Sequence, residues 1–162
     1  MTILQQLLSK GYFPVQLPPG FTTEQFATSL TMYAPTWDAV PKNRIPFTQC
    51  EKFSVARSSY FRRVTSIVNP IGFYYLAKEI DTYWDRIQQH YEKSQISKSI
   101  PSVEAESVGL RAINLPKFSQ LYEDKITASA GYKYALITDI SSFFPTIYTH
   151  TIPWALPESV FF

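Results

Sequence analysis

Cysteine is almost missing from this chain: Cys50 stands alone among 162 residues. A single thiol excludes an intramolecular disulfide framework and a cysteine metal cluster, and it suits a reducing compartment. Glycine is scarce too, 5 residues against 12 prolines, so the backbone has many stiff corners and few permissive ones. The two histidines, His90 and His150, are far apart in sequence and form no metal-ligand pair. His90 reads as solvated on its helix and His150 as a capping or packing residue. Long apolar runs are lacking, and the N-terminus has neither the basic region nor the apolar stretch of a secretory signal. The expectation is a soluble, cytoplasmic protein with no membrane partner. Nor is there a dominant charge. A formal net charge of +2 neither demands nor excludes a nucleic-acid partner.

What is present is globular in kind. Apolar residues make up 45% and aromatics 16%, far above the level of a disordered chain. The length allows one ordinary domain with a sizeable core. Ile3, Leu4, Leu7 and Leu8 have helical spacing, with Gly11 as the stop. Thr22 and Gln25 are placed for a capping box, with Phe21 and Phe26 as its hydrophobic staple, and predict a helix running to about Tyr33, ahead of Pro35. Residues 53–57 alternate in the manner of a strand, residues 63–68 are β-branched, and Ser58, Ser59 and Tyr60 lie between them. Together they predict a hairpin ended by Asn69-Pro70.

Leu76, Ile80, Tyr83, Trp84, Ile87 and Tyr91 recur at three- and four-residue steps and predict the longest helix, residues 72–92. Trp84 fits this stripe as a core residue. Residues 93–107 are polar and serine-rich, an exposed connection. Residues 108–114 predict a short strand, Pro116 the first position of a further helix, and Gly131 the turn into a strand over 132–139. No internal repeat is visible.

That last strand ends on a carboxylate. A strand-end Asp139 followed by a turn stands where a hard oxygen ligand can meet Mg²⁺. Asp is also a common turn or capping residue, and taken alone the position reads first as structural. Arg62 and Arg63 form, with Arg57, a local basic cluster. By themselves they read as a solvated hairpin edge. Phe143 reads as a core residue, and Cys50 as a small packing residue.

Asp139-Ile140-Ser141-Ser142-Phe143-Phe144-Pro145-Thr146-Ile147 resembles motif A of the reverse transcriptases. The likeness continues through Tyr148-Thr149-His150-Thr151-Ile152-Pro153-Trp154-Ala155-Leu156, in the manner of the bacterial abortive-infection and defence-associated (AbiK-like) members. Arg62 to Pro70, with Tyr75-Leu76 and the helix containing Trp84, is similar to the fingers segment of the same group. So are Gly11-Tyr12-Phe13-Pro14 with Leu17-Pro18-Pro19, and Arg111-Ala112-Ile113. The resemblance spans nearly the whole chain, to about Leu156.

It implies an α+β fold with helix-rich fingers, a β-hairpin and an incomplete palm sheet of the right-hand polymerase kind. Residues 1–131 would be the N-terminal and fingers region and 132–162 the start of the palm. Asp139 would be the catalytic, metal-binding carboxylate, and the Ile140 carbonyl a second ligand for Mg²⁺. Phe144 would be the gate that excludes a 2′-hydroxyl. Arg63 would bind the triphosphate of an incoming dNTP, with Arg62 or Arg57 on the nucleic-acid backbone, either RNA or single-stranded DNA. A homo-oligomer is a further expected partner arrangement.

The sequence departs from that family in one decisive respect: the 162 residues hold no Asp-Asp dipeptide. The reaction needs such a pair, because several carboxylates hold the two ions. The later template-gripping motif and thumb are likewise missing. The expectation is a truncated chain, inactive alone, whose 132–139 strand presents unpaired edges and an apolar face. The alternative is a non-catalytic nucleic-acid-binding or assembly module.

Overall fold

The structure, a computed structural model, describes residues 2–13, 17, 20–45, 48–56, 60–103, 111–148 and 151, with the side chains of Lys42, Phe144 and Pro145 outside that description. The chain is mixed α+β. It divides into two compact units, Met1–Leu121 and Tyr122–Phe162.

The first unit begins with α1, Ile3–Gln6, continued by one π-helical turn, Leu7–Gly11. A capping box does form in this chain, but here: the Thr2 hydroxyl accepts from the Gln5 N–H at 3.2 Å, and the Gln5 side chain accepts from the Thr2 N–H at 3.2 Å. The box expected at Thr22 and Gln25 is absent. α2 instead spans Glu24–Asp38. Thr23, at its N-cap, is buried, and its hydroxyl donates to the Ser9 carbonyl at 2.7 Å. A tertiary bond has displaced the local one. Phe21, half of the expected staple, is exposed and meets Phe13 edge-on at 6.1 Å.

α2 also continues past Pro35, where the sequence pattern had it stop. Proline removes the N–H that would reach the carbonyl of Thr31, but both residues are exposed, so water can take that carbonyl. The extra turn brings Trp37 to 5.1 Å from Tyr74 and 6.1 Å from Phe26. It also puts Asp38 beneath the Tyr74 hydroxyl, at 3.1 Å, and against Lys78, at 2.7 Å. The Tyr75 hydroxyl closes the same end by donating to the Trp37 carbonyl.

β1, Glu51–Ala56, pairs antiparallel with β2, Arg62–Ile67. The expected hairpin is therefore present. Its register sets Val55 opposite Arg63 and Ala56 opposite Arg62. Phe53, Val55, Thr65 and Ile67 form the half-buried face, while Ser54, Ala56, Val64 and Ser66 are exposed on the other. The Thr65 hydroxyl is buried on the first of these faces with no hydrogen-bond partner among the described residues. Thr65→Val keeps the shape and removes a desolvated polar group, so it is expected to stabilise the chain by roughly 1 kcal/mol, read as a higher urea midpoint.

Asn69 and Pro70 do more than end the hairpin. α3 spans Pro70–Glu92, with the Asn69 side chain accepting from the Ile71 N–H at 3.0 Å and Pro70 in the first turn. Its buried face runs through Tyr74, Ala77 and Trp84, with Ile80 and Ile87 half-buried beside it. Leu76, Tyr83 and Tyr91, counted on the apolar stripe from sequence, are on the exposed side, Leu76 at 56%. Helical spacing identified the helix but put three residues on the wrong face. Ala77 carries too little apolar weight to mark the true one, although close packing selects it.

The core joins Leu7, Leu8, Leu30, Tyr74, Ala77 and Ala112, with Ile3, Phe26, Trp37 and Phe73 packed around it. Ala112 reaches it from the segment before α4. There the Gln6 side chain, itself buried, donates to the Ala112 carbonyl at 3.0 Å. A Cβ on Gly11 would stand 3.2 Å from that of Ala112. Gly11→Val is thus expected to overpack this contact and cost about 1–3 kcal/mol, measurable as a lowered melting temperature.

Residues 108–110, the first part of an expected strand, lie outside the described residues. Asn114 makes an isolated antiparallel bridge to Ser102. Residues 93–103 carry the exposed polar connection, as expected. α4 spans Phe118–Ser129 and begins two residues after Pro116. Gly131 has φ +84°, the left-handed conformation for which glycine suits the turn. Beyond it the expected strand over 132–139 is not formed: residues 134–140 have no regular structure. A strand exists only through its partner's hydrogen bonds, and among the described residues none is offered. A four-residue helix, α5, Phe143–Thr146, follows. No helix among the described residues is long and apolar enough to cross a membrane.

Candidate functional site

Asp139 is exposed, and its Oδ1 accepts from the N–H of Ile140 at 2.8 Å. Ser141 and Ser142 make the turn, with Ser142 at φ +53°. That left-handed conformation is unusual for a non-glycine residue. It starts α5, whose first turn closes as the Thr146 N–H and hydroxyl both donate to the Ser142 carbonyl at 3.1 Å. Asp139 and the Ile140 carbonyl therefore stand at the head of a tight turn leading into a helix. Phe143, read from sequence as core, is exposed at 47%. The side chain of Phe144 lies outside the described residues, and so does His150.

A Mg²⁺ site needs more than this. Among the described residues no group of three or more His, Cys, Asp or Glu side chains is placed to hold a metal ion. One carboxylate and one carbonyl would leave a single Mg²⁺ dependent on water and phosphate oxygens, and they cannot hold two ions. The donors of this turn do not by themselves fit a two-metal centre.

Arg62 and Arg63 are both exposed on β2, but alternation sends their side chains to opposite faces of the hairpin. Arg62 is engaged locally: its guanidinium donates to the Ser54 hydroxyl at 2.8 Å and to the Ser54 carbonyl at 2.9 Å. That bidentate hold makes it a brace of the hairpin. Arg63 shares the face of Phe53, Val55 and Thr65, at its exposed end. Arg57 lies outside the described residues.

Two side chains that the sequence reading passed over are Tyr60 and Phe61, just before β2. They are 99% and 72% exposed, next in sequence to both arginines. An exposed aromatic pair beside guanidinium groups is a surface on which unstacked bases can lie. The aromatic-aromatic-Arg-Arg succession was legible in the sequence, but aromatics there are equally good core candidates.

Tyr12, by contrast, is structural. Its hydroxyl donates to the Val68 carbonyl at 2.8 Å, and burial raises its pKa above the ordinary tyrosine value. Its ring meets Phe13 at 5.0 Å and Phe73 at 5.2 Å, so it ties the N-terminal segment to the hairpin exit. Tyr12→Phe is expected to cost about 1 kcal/mol in chemical denaturation.

Comparison with family models, with curated proteins and with solved structures finds no match to this chain.

Proposed function

We propose that this chain carries the fingers-type hairpin and the motif A turn of an RNA-directed DNA polymerase of the bacterial defence type, and that it does not catalyse nucleotidyl transfer alone. The observation that carries this reading is the 139–147 pattern, with an exposed Asp139 at the head of a turn that leads straight into a helix. The parent reaction is attack of a 3′-hydroxyl, or of a protein primer's hydroxyl, on the α-phosphate of a dNTP. In it Asp139 supplies one metal-binding carboxylate, and Arg63 offers a planar guanidinium to the triphosphate. No further carboxylate is grouped with it among the described residues, and the family's Asp-Asp pair is not in this sequence.

Two measurements test this. Purified chain with Mg²⁺, dNTPs and a primed template is expected to give no incorporation; robust synthesis lost on Asp139→Ala would overturn the claim of dependence. The coding DNA beyond codon 162, read in all three frames, is expected to encode a Tyr-x-Asp-Asp hairpin.

A second reading is favoured by Tyr60 and Phe61: a module that binds single-stranded nucleic acid without catalysis. Stacking on such rings is worth about 1–3 kcal/mol per base. If this reading holds, Tyr60→Ala weakens oligonucleotide binding by about tenfold, and affinity falls linearly on a log–log plot against salt. Binding unaffected by Tyr60, Phe61 and Arg63 substitutions rejects it.

A further inference from the structure

Among the described residues of the second unit the most exposed apolar stretch is 132–140, Tyr-Lys-Tyr-Ala-Leu-Ile-Thr-Asp-Ile. Leu136 is 90% exposed and Ile137 74%, and Tyr132, Tyr134 and Ile140 are open as well. Within 133–139 no backbone group is hydrogen-bonded to another described backbone group. The composition nevertheless favours a strand, with aromatic and β-branched residues and neither glycine nor proline. Exposed residues of this kind are a template for pairing with another chain.

The charges say which chain. The stretch has one cation and one anion, Lys133 and Asp139, placed symmetrically about Leu136. Two copies laid antiparallel with Leu136 facing its own counterpart set each Lys133 opposite the other copy's Asp139. In the same register Tyr134 faces Thr138, and Ala135 faces Ile137. One face of the ribbon is then apolar from Tyr132 to Ile140. The other carries an ion pair at each end around Ala135 and Ile137. A parallel pairing in register would instead stack lysine on lysine and aspartate on aspartate, which is unfavourable. In the single chain the Lys133 ammonium lies 5.6 Å from the Tyr134 ring centroid, an exposed contact that is readily exchanged.

We propose that residues 132–140 form a two-fold symmetric, antiparallel β-pairing with the same residues of a second copy of this chain. The pairing satisfies the backbone groups along one edge of each strand and sets Leu136 beside its own counterpart and Ile137 beside Ala135. It does not depend on the polymerase reading, since it uses only exposure, strand propensity and charge. It does engage the Asp139 carboxylate, which in the dimer faces an ammonium.

Sedimentation of the full chain over a wide concentration range tests it. The expected result is a discrete monomer–dimer equilibrium. Lys133→Asp and Asp139→Lys each turn two attractive pairs into two repulsive ones and weaken the dimer about tenfold. The double variant, with the charges exchanged, restores it, and mixing the two single variants gives a heterodimer. Leu136→Pro abolishes association while leaving the far-UV signal of the first unit intact. A chain that stays monomeric, a polydisperse aggregate, or a dimer indifferent to the charge exchange would overturn the proposal.

Discussion

Leu8→Ala is expected to destabilise the chain by about 2–5 kcal/mol, against roughly 0.5 kcal/mol or less for Leu76→Ala, measured as shifts in urea midpoint at constant slope. Leu8 is 0% exposed, on the π-helical turn, and belongs to the core that gathers α2, α3 and Ala112. Truncating it loses the transfer free energy of the missing carbons and leaves a cavity that residues from several separate segments must collapse to fill. Leu76, more than half exposed on α3, has no such role. By hydrophobic spacing the two leucines look equivalent, so the contrast tests the placement of the core.

Tyr74→Ala is expected to cost about 3–5 kcal/mol, and Tyr74→Phe only about 1 kcal/mol. The ring is 2% exposed, tilted against Trp37 and Tyr75, and its hydroxyl donates to both oxygens of Asp38 at 3.1 and 3.2 Å. The same group gives the chain a signature at high pH. Burial first, and then the hydrogen bond to Asp38, raise the Tyr74 pKa, and burial raises that of Tyr12. The hydrogen bond to Asp38 raises that of Lys78. All three groups hold their protons in the folded chain at a pH where the unfolded chain has begun to release them. Their contribution is complete below the unfolded values, near pH 10, and is lost as pH rises through the folded ones. Stability should be flat from neutrality to about pH 9 and fall above it, with a shallower fall in Tyr74→Phe. Lys78 adds little, because its ion pair with Asp38 is largely open to solvent.

The hairpin and the long helix were legible because their signals are local. Strand-like runs around a serine turn and apolar spacing over about four turns need no tertiary information to be read. The start of α2 departs from the local pattern for the opposite reason. Thr22 and Gln25 satisfy the capping-box pattern, yet the neighbouring Thr23 gains more from the Ser9 carbonyl, a partner fourteen residues away that no local pattern reveals. Pro35 signals a stop because its cost is local, while its compensation, Trp37 on Tyr74 and Asp38 against Lys78, is not. At the candidate site Asp139 and its turn could be read directly. The split of Arg62 and Arg63 between two faces, and the engagement of Arg62 by Ser54, depend on register.

By itself the sequence determined the class of the fold, the position of its hairpin and principal helix, and the turn after Asp139, since each follows from side-chain chemistry within a few residues. Tertiary structure decided which face of α3 is buried, where α2 begins and ends, that Arg62 is held by Ser54, and that residues 132–140 form no strand. Those outcomes rest on partners distant in the chain. A strand propensity becomes a strand only when another backbone supplies the hydrogen bonds, and among the described residues none does.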